Sequence, residues 1–233
     1  MQTLSIIIPC YNEEQTIGII IGRIKNIKIN LKKEIIVVDD GSTDNSLNLL
    51  KLIKGITLIS YDINQGKGAA IRIGLKKASG DLILIQDADL EYNTEDIPKL
   101  LEPILENKSK VVYGSRFLGK KFKIFDKNRT IYPSHLIGNK VLSIFTTILY
   151  FQRITDMETG YKLFVNSAIK NLNLKANGFD IEPEITAKIK KSGYNILEIP
   201  INFKPRLIEE GKKITWKDGV KALWYLFKYR LFD

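Results

Sequence analysis

The chain of 233 residues is 44% hydrophobic, 27% charged and 9% aromatic, enough apolar material for one ordinary domain and no signature of disorder. A single cysteine, Cys10, and a single histidine, His135, exclude a disulfide framework, a cysteine-based zinc site and a histidine-dominated metal site. The formal net charge of +10 resides in two stretches: seven Lys/Arg against Asp126 alone between Arg116 and Lys140, and eight against four acids from Lys204 to Asp233.

Such clustering suits nucleic acid or an anionic lipid surface, as well as a plain solvated lysine-rich face. No stretch approaches the ~20 apolar residues of a bilayer span; the nearest is Val141–Phe151. The opening Met-Gln-Thr lacks the positive segment of a secretory signal, so a cytoplasmic location is expected.

In chain order, Leu4–Ile8 reads as a buried strand, and Glu13–Ile27 as a helix with Ile17, Ile20, Ile21 and Ile24 on one face. Glu34–Val38 is a second strand; Ser42 or Thr43 can cap a helix through Leu47, Leu49 and Leu50. Ile56–Ser60, a helix over Ala69–Ala78 and Leu82–Gln86 complete a βαβαβαβ series. Continuous apolar strands between helices imply a largely parallel sheet covered on both faces. Helices are further expected over Glu95–Glu106, Ser134–Tyr150, Glu182–Ser192 and Thr215–Tyr229, with short strands near Lys110–Tyr113, Leu163–Val165 and Tyr194–Phe203.

Two strands run into acids, Val37-Val-Asp39-Asp40 and Leu84-Ile-Gln-Asp87-Ala-Asp89. Ligands of open α/β sheets sit beyond the carboxyl ends of strands, and residues two apart in an extended segment face the same side. Asp87 and Asp89 can therefore share one hard cation, Mg²⁺ or Mn²⁺; the plainer alternative is one helix cap and one solvated acid. The loop Asn64-Gln-Gly-Lys-Gly68 offers close backbone approach at Gly66 and Gly68, positive charge at Lys67 and an anion-favouring helix start. It lacks the Walker spacing, and no Gly-x-Gly-x-x-Gly follows the first strand.

Together the stretches Ser5–Glu14, Val37–Asp44, Asn64–Gly68, Asp87–Asp89, Gly114–Arg116 and Asp156–Lys162 resemble the family 2 glycosyltransferases of GT-A fold. Gly178–Glu182, Glu198–Arg206 and the closing Gly-Lys-Lys…Trp-Lys-Asp-Gly segment are similar to the polyprenyl-phosphate (dolichol-phosphate type) mannosyl- and glucosyltransferases. The resemblance implies a single Rossmann-like α/β domain over 1–210 with a mostly parallel sheet, followed by a C-terminal amphipathic helix in 211–233. It implies that Pro9, Tyr11, Glu13, Asp39, Asp40, Lys67 and Asp87 bind the nucleotide, and that Asp87, Asp89 and Glu91 hold the metal. Arg116, Arg129, Ser134 and Arg206 would surround the acceptor phosphate and the donor diphosphate, and Asp89, Asp156 and Arg116 would be catalytic. Relatives often carry Gln where this chain has Glu91, and Ser-Gly-Phe-Arg where it has Thr159-Gly160-Tyr161-Lys162.

The implied reaction is inverting transfer of a hexose from a nucleotide-diphosphate sugar (GDP-mannose or UDP-glucose type) to a polyprenyl phosphate. A phosphate monoester has its second pKa near ~6 and attacks without a general base; a hydroxyl acceptor would need one, for which Asp156 and Glu158 are candidates. The implied partners are the nucleotide sugar, the lipid phosphate and the cytoplasmic membrane surface, without nucleic acid; oligomeric state is left open. Val220, Leu223, Trp224, Phe227 and Leu231 fall at helical spacing with Lys217, Lys221 and Lys228 largely elsewhere on the wheel, the pattern of a helix lying in a membrane interface; Ser134–Phe151 is similarly apolar. A helix packed on the core with lysines outward is the ordinary alternative. Two other functions stay open: a family 2 transferase acting on a saccharide or other hydroxyl, and a non-catalytic basic lipid- or nucleic-acid-binding protein.

Overall fold

The computed structural model describes residues 1–119, 133–206 and 216–232. The first half alternates β1 (Thr3–Cys10), α1 (Ile17–Asn26), β2 (Lys32–Asp39), α2 (Ser46–Leu52), β3 (Thr57–Ser60), α3 (Lys67–Lys77) and β4 (Leu82–Ile85). A 3-10 turn at Thr94–Asp96 leads into α4 (Ile97–Leu105), β5 (Val111–Ser115), α5 (Pro133–Tyr150), β6 (Lys162–Val165), α6 (Asn166–Ile169), α7 (Ile181–Lys191), β7 (Leu197–Pro200) and α8 (Trp216–Leu231). The strands form one seven-stranded sheet in the order β3-β2-β1-β4-β6-β5-β7.

Strand alternation sorts the core into two layers. Leu4, Ile6 and Ile8 of β1 pack with Ile17, Ile20 and Ile24 of α1 and with Ile97, Leu100 and Leu101 of α4. Ile7 faces the opposite layer, with Ala70 and Ile71 of α3, Ile181 and Ile185 of α7, and Leu226 of α8. These side chains are essentially inaccessible, each leucine and isoleucine contributing about 1.5–3 kcal/mol of apolar burial.

Parallel pairing runs through β3-β2-β1-β4 and again between β5 and β7, whereas β6 is antiparallel to both β4 and β5. This reversal matters for the site. Lys162, the first residue of β6, lies opposite Ile85, the last of β4, so the segment preceding β6 arrives at the edge where the parallel strands end.

Two helix starts differ from the sequence reading. The Glu13–Thr16 stretch is a turn, with Thr16 and Ile17 N–H both donating to the Glu13 carbonyl, which leaves Glu13 outside the helix. Ser42 and Thr43 do not cap α2: Ser42 Oγ accepts Asn12 N–H at 3.0 Å and Thr43 N–H donates to Asn12 Oδ1 at 2.8 Å. They tie the β2 loop to the β1 loop, and α2 begins later, at Ser46.

Candidate functional site

The parallel strands deliver their carboxyl ends to one edge. Cys10 and Asp39 are register partners, and Asp40 N–H donates to Cys10 O at 2.8 Å. Asp39 at the end of β2 and Asp40 just past it therefore stand beside Pro9 near the end of β1 and the Tyr11 and Glu13 that follow it. Asp39 is fully buried; Oδ2 accepts Ser42 N–H at 3.3 Å, while Oδ1 has no hydrogen-bond partner among the described residues. A buried carboxylate oxygen without a donor is costly, and such an oxygen suits the N–H of a bound ring. Asp40 serves differently from a ligand contact: Oδ1 accepts Gln65 N–H at 2.9 Å and Oδ2 accepts Gly66 N–H at 2.7 Å. It pins the loop that opens α3.

That loop corrects one sequence expectation. A Cβ on Gly66, whose φ is +101°, would come within 2.4 Å of Asn177 O, and one on Gly68 within 2.5 Å of Ala176 O. The backbone these glycines admit is the chain's own segment before α7. Lys67, first residue of α3, turns inward: Nζ lies 2.8 Å from Asp87 Oδ1 and 3.1 Å from Glu182 Oε1. Burial by itself would lower the Lys67 pKa, but the two carboxylates hold it above the usual lysine range. Glu182 also pairs with fully buried Lys162, whose ammonium donates to the Met157 and Thr159 carbonyls.

Asp89 and Glu91 flank Leu90, which has a left-handed φ of +62°, a strained value for a branched side chain of the kind that concentrates at functional sites. Asp89 Oδ1 accepts Glu91 N–H at 3.1 Å. Burial, then the negative charges of Asp87 and Glu91, push the Asp89 carboxyl up to about 7, so the position favours a cation. Arg206 borders it, with N–H on Glu91 Oε1 at 2.7 Å, Nε on Asp89 O at 3.0 Å and a two-point pair to Glu13 at 3.1 and 2.5 Å. Asp87 is drawn to Lys67 and Glu91 to the Arg206 backbone, and no group of three carboxylate, histidine or cysteine side chains converges on a point among the described residues. The expected trio of Asp87, Asp89 and Glu91 is thus not assembled as a three-residue cage.

Arg116, just beyond β5, makes a fork to buried Asp156: Nε to Oδ2 and Nη2 to Oδ1, both 2.7 Å, with its N–H on Oδ2 at 2.9 Å. The guanidinium lies over the Phe203 and Phe117 rings at 5.1 and 5.4 Å. Asp156 is itself held by Glu198, which accepts the N–H groups of Thr155 and Asp156 at 2.8 and 2.9 Å. Both carboxylate oxygens of Asp156 are thus engaged by Arg116. Glu158 sits nearby with Oε1 enclosed and unpartnered among the described residues; burial, then Glu182, push its carboxyl up to about 7.

Sequence reasoning named neither Lys162, Glu182 nor Glu198 as site residues. The available signal was a lysine opening the apolar strand Lys162-Leu-Phe-Val165, since a buried charge there must be paired. Ser134 lies in the first turn of α5, its side chain outside the described residues. Arg129 also lies outside them.

Residues 5–172 match the family model for glycosyl transferase family 2. The chain is 32% identical over 218 residues to a UDP-N-acetylglucosamine–dolichyl-phosphate N-acetylglucosaminyltransferase of Methanococcus voltae, covering 84% of this chain and 83% of that one. It is 31% identical over 212 residues to a dolichol-phosphate mannosyltransferase of Pyrococcus furiosus, covering 90% of this chain and 58% of that one. Among solved structures, glucosyl-3-phosphoglycerate synthase from Mycobacterium tuberculosis in complex with Mn²⁺, UDP and glucosyl-3-phosphoglycerate superposes with a TM-score of 0.72 at 19% identity, over 99% of this chain and 79% of that one. That likeness is one of fold, of the GT-A kind.

Proposed function

The chain belongs to glycosyl transferase family 2, and from that premise we propose that it moves a hexose from a nucleotide-diphosphate sugar to a polyprenyl phosphate, with inversion, at a membrane surface. The observation that carries the reading is the pairing at one sheet edge of an acidic donor side, Asp39, Asp87 and Asp89, with the Arg116 fork. The relatives named for dolichyl or dolichol phosphate support the acceptor.

A divalent ion fits this donor set. Mg²⁺ and Mn²⁺ are commonly held by one or two carboxylates completed by substrate phosphates, and Asp89, buried beside Asp87 and Glu91, supplies such a position without a third protein ligand. When bound, the ion would stabilise the negative charge of the departing diphosphate. Asp39 would accept a base N–H at its unpartnered oxygen. Arg116, its plane fixed by Asp156 and two aromatic rings, would hold the acceptor phosphate. A dianionic phosphate needs orientation rather than a base, which agrees with Asp156 having both oxygens on Arg116.

The surface supports the lipid acceptor. No helix among the described residues is long and apolar enough to cross a membrane, yet α5 and α8 are apolar on two sides. Inward, Leu142 and Tyr150 of α5 and Ala222, Leu226 and Tyr229 of α8 are buried. Outward, Ile137, Val141, Ile144 and Ile148 form an exposed stripe on α5 continued by Phe151, and Trp224, Phe227 and Leu231 are exposed on α8. Exposed Lys140, Lys221, Lys228 and Arg230 border these residues, and α5 contains no acid. Cations beside a Trp/Phe/Ile/Leu face suit an anionic bilayer.

The test is a thermal-shift panel of GDP- and UDP-sugars with and without Mn²⁺, followed by transfer to a short polyprenyl phosphate. Metal-dependent stabilisation by one nucleotide class, and a glycosylated lipid phosphate, are expected. Transfer to free saccharides but not to lipid phosphate would overturn the acceptor assignment.

A further inference from the structure

Resting on that donor reading, we infer that Lys67 couples the metal to the nucleotide: its ammonium holds the Asp87 carboxylate until a nucleotide diphosphate draws it off, so ion and nucleotide enter as a pair. Charges alternate along one buried line from Lys162 through Glu182 and Lys67 to Asp87. The inner end is fixed. Lys162 is fully buried, lies under the Tyr113 ring at 4.8 Å and donates to two carbonyls. The outer end reaches solvent, with Lys67 and Asp87 side chains 16% and 17% exposed.

The Lys67–Asp87 contact occupies a recess that the sequence keeps open. A Cβ on Gly160 would lie 2.1 Å from Asp87 Oδ2 and 3.0 Å from Lys67 Nζ, so any side chain there would push the carboxylate out of its present seat against the ammonium. Gly160 is itself anchored by its N–H to Tyr92 Oη at 2.9 Å. While Lys67 is seated there, a divalent ion at the adjoining carboxylates meets a positive charge a few ångströms away. A diphosphate reverses that balance: it attracts the ammonium toward the start of α3, where helix geometry also favours anions, and releases an oxygen of Asp87. Glu182 keeps Lys67 anchored from behind. Because linkage is reciprocal, each ligand then strengthens the other.

The test is Mn²⁺ titration of the full chain by electron paramagnetic resonance, alone and with UDP or GDP. In the wild type, one nucleotide is expected to tighten Mn²⁺ binding by about tenfold or more, a coupling of the usual allosteric size. Lys67→Met should bind Mn²⁺ alone about tenfold more tightly and lose most of the nucleotide enhancement. Gly160→Ala alters no charge but displaces the Asp87 carboxylate; it should also tighten Mn²⁺ alone, by several-fold, and it decides the matter if Lys67→Met does not fold. Unchanged coupling in Lys67→Met overturns the inference, as does unchanged Mn²⁺ affinity in Gly160→Ala. A wild type that takes up no Mn²⁺ with either nucleotide overturns the donor reading beneath it.

Discussion

Glu158 carries a carboxyl that titrates near 7 because burial and Glu182 disfavour its charge. Its folded pKa lies above the ordinary carboxylate value, so the native state binds more protons than the unfolded chain between about pH 4.5 and 7. Stability should therefore fall as pH rises through that window and level off above it, by roughly 3 kcal/mol. Asp89, whose carboxyl is also pushed up to about 7, adds to the same limb. Glu158→Gln should therefore shrink the limb rather than abolish it in urea melts taken from pH 4.5 to 8; an unchanged profile would sink the assignment. Asp156→Asn loosens the Arg116 fork and so cannot isolate proton transfer. Its expected signature is a rise of about thirtyfold in acceptor KM, roughly 2 kcal/mol of a charged hydrogen bond, with donor KM unchanged in steady-state kinetics. Cys10, its thiol pushed up to about 12 by burial and then Asp39, should resist alkylation in the native protein. The acids after β2 and β4 were legible because they end apolar runs. The division of labour between Asp39 and Asp40 was not, since it depends on which of two adjacent carboxylates meets the Gln65 and Gly66 N–H groups.

The helices were legible from spacing, and α8 explains where spacing stops. The sequence grouped Leu223, Trp224 and Phe227 on one apolar side, whereas the fold partly buries Leu223 and leaves Trp224 and Phe227 exposed. Burial falls instead on Ala222, Leu226 and Tyr229, with Tyr150 Oη donating to Leu226 O at 2.7 Å. A helix apolar on two sides has no periodicity that says which one meets the protein; packing on α5 and α7 decides it. The two sides predict separable losses. Leu226→Ala should destabilise by about 2–5 kcal/mol in denaturant melts. Trp224→Glu with Phe227→Glu should leave the melting temperature nearly unchanged but abolish flotation with phosphatidylglycerol vesicles. Flotation equal to wild type would remove the interfacial role from α8.

At the scale of the whole molecule, the βαβ alternation of the first half made the layered sheet legible, and each predicted strand there has its counterpart. The second half was legible as elements but not as order, because antiparallel insertion of β6 between β4 and β5 is a long-range pairing without local signal. The basic stretches lead to a whole-chain expectation as well. Vesicle binding should weaken as salt rises from 0.05 to 0.5 M, the Debye length shrinking to a few ångströms, and should fail on zwitterionic vesicles; salt-independent binding would leave only the apolar contribution.

The solitary reversed strand has one more consequence. Among the described residues, the ladders of β1–β4 and of β5 with β7 meet only through β6. Four residues thus form the seam between the two wings, and a seam flanked on both sides cannot fray without parting the whole sheet. Backbone amides at Leu163 and Phe164 should accordingly exchange with deuterium only when the entire protein opens, later than those of the outer strand β3.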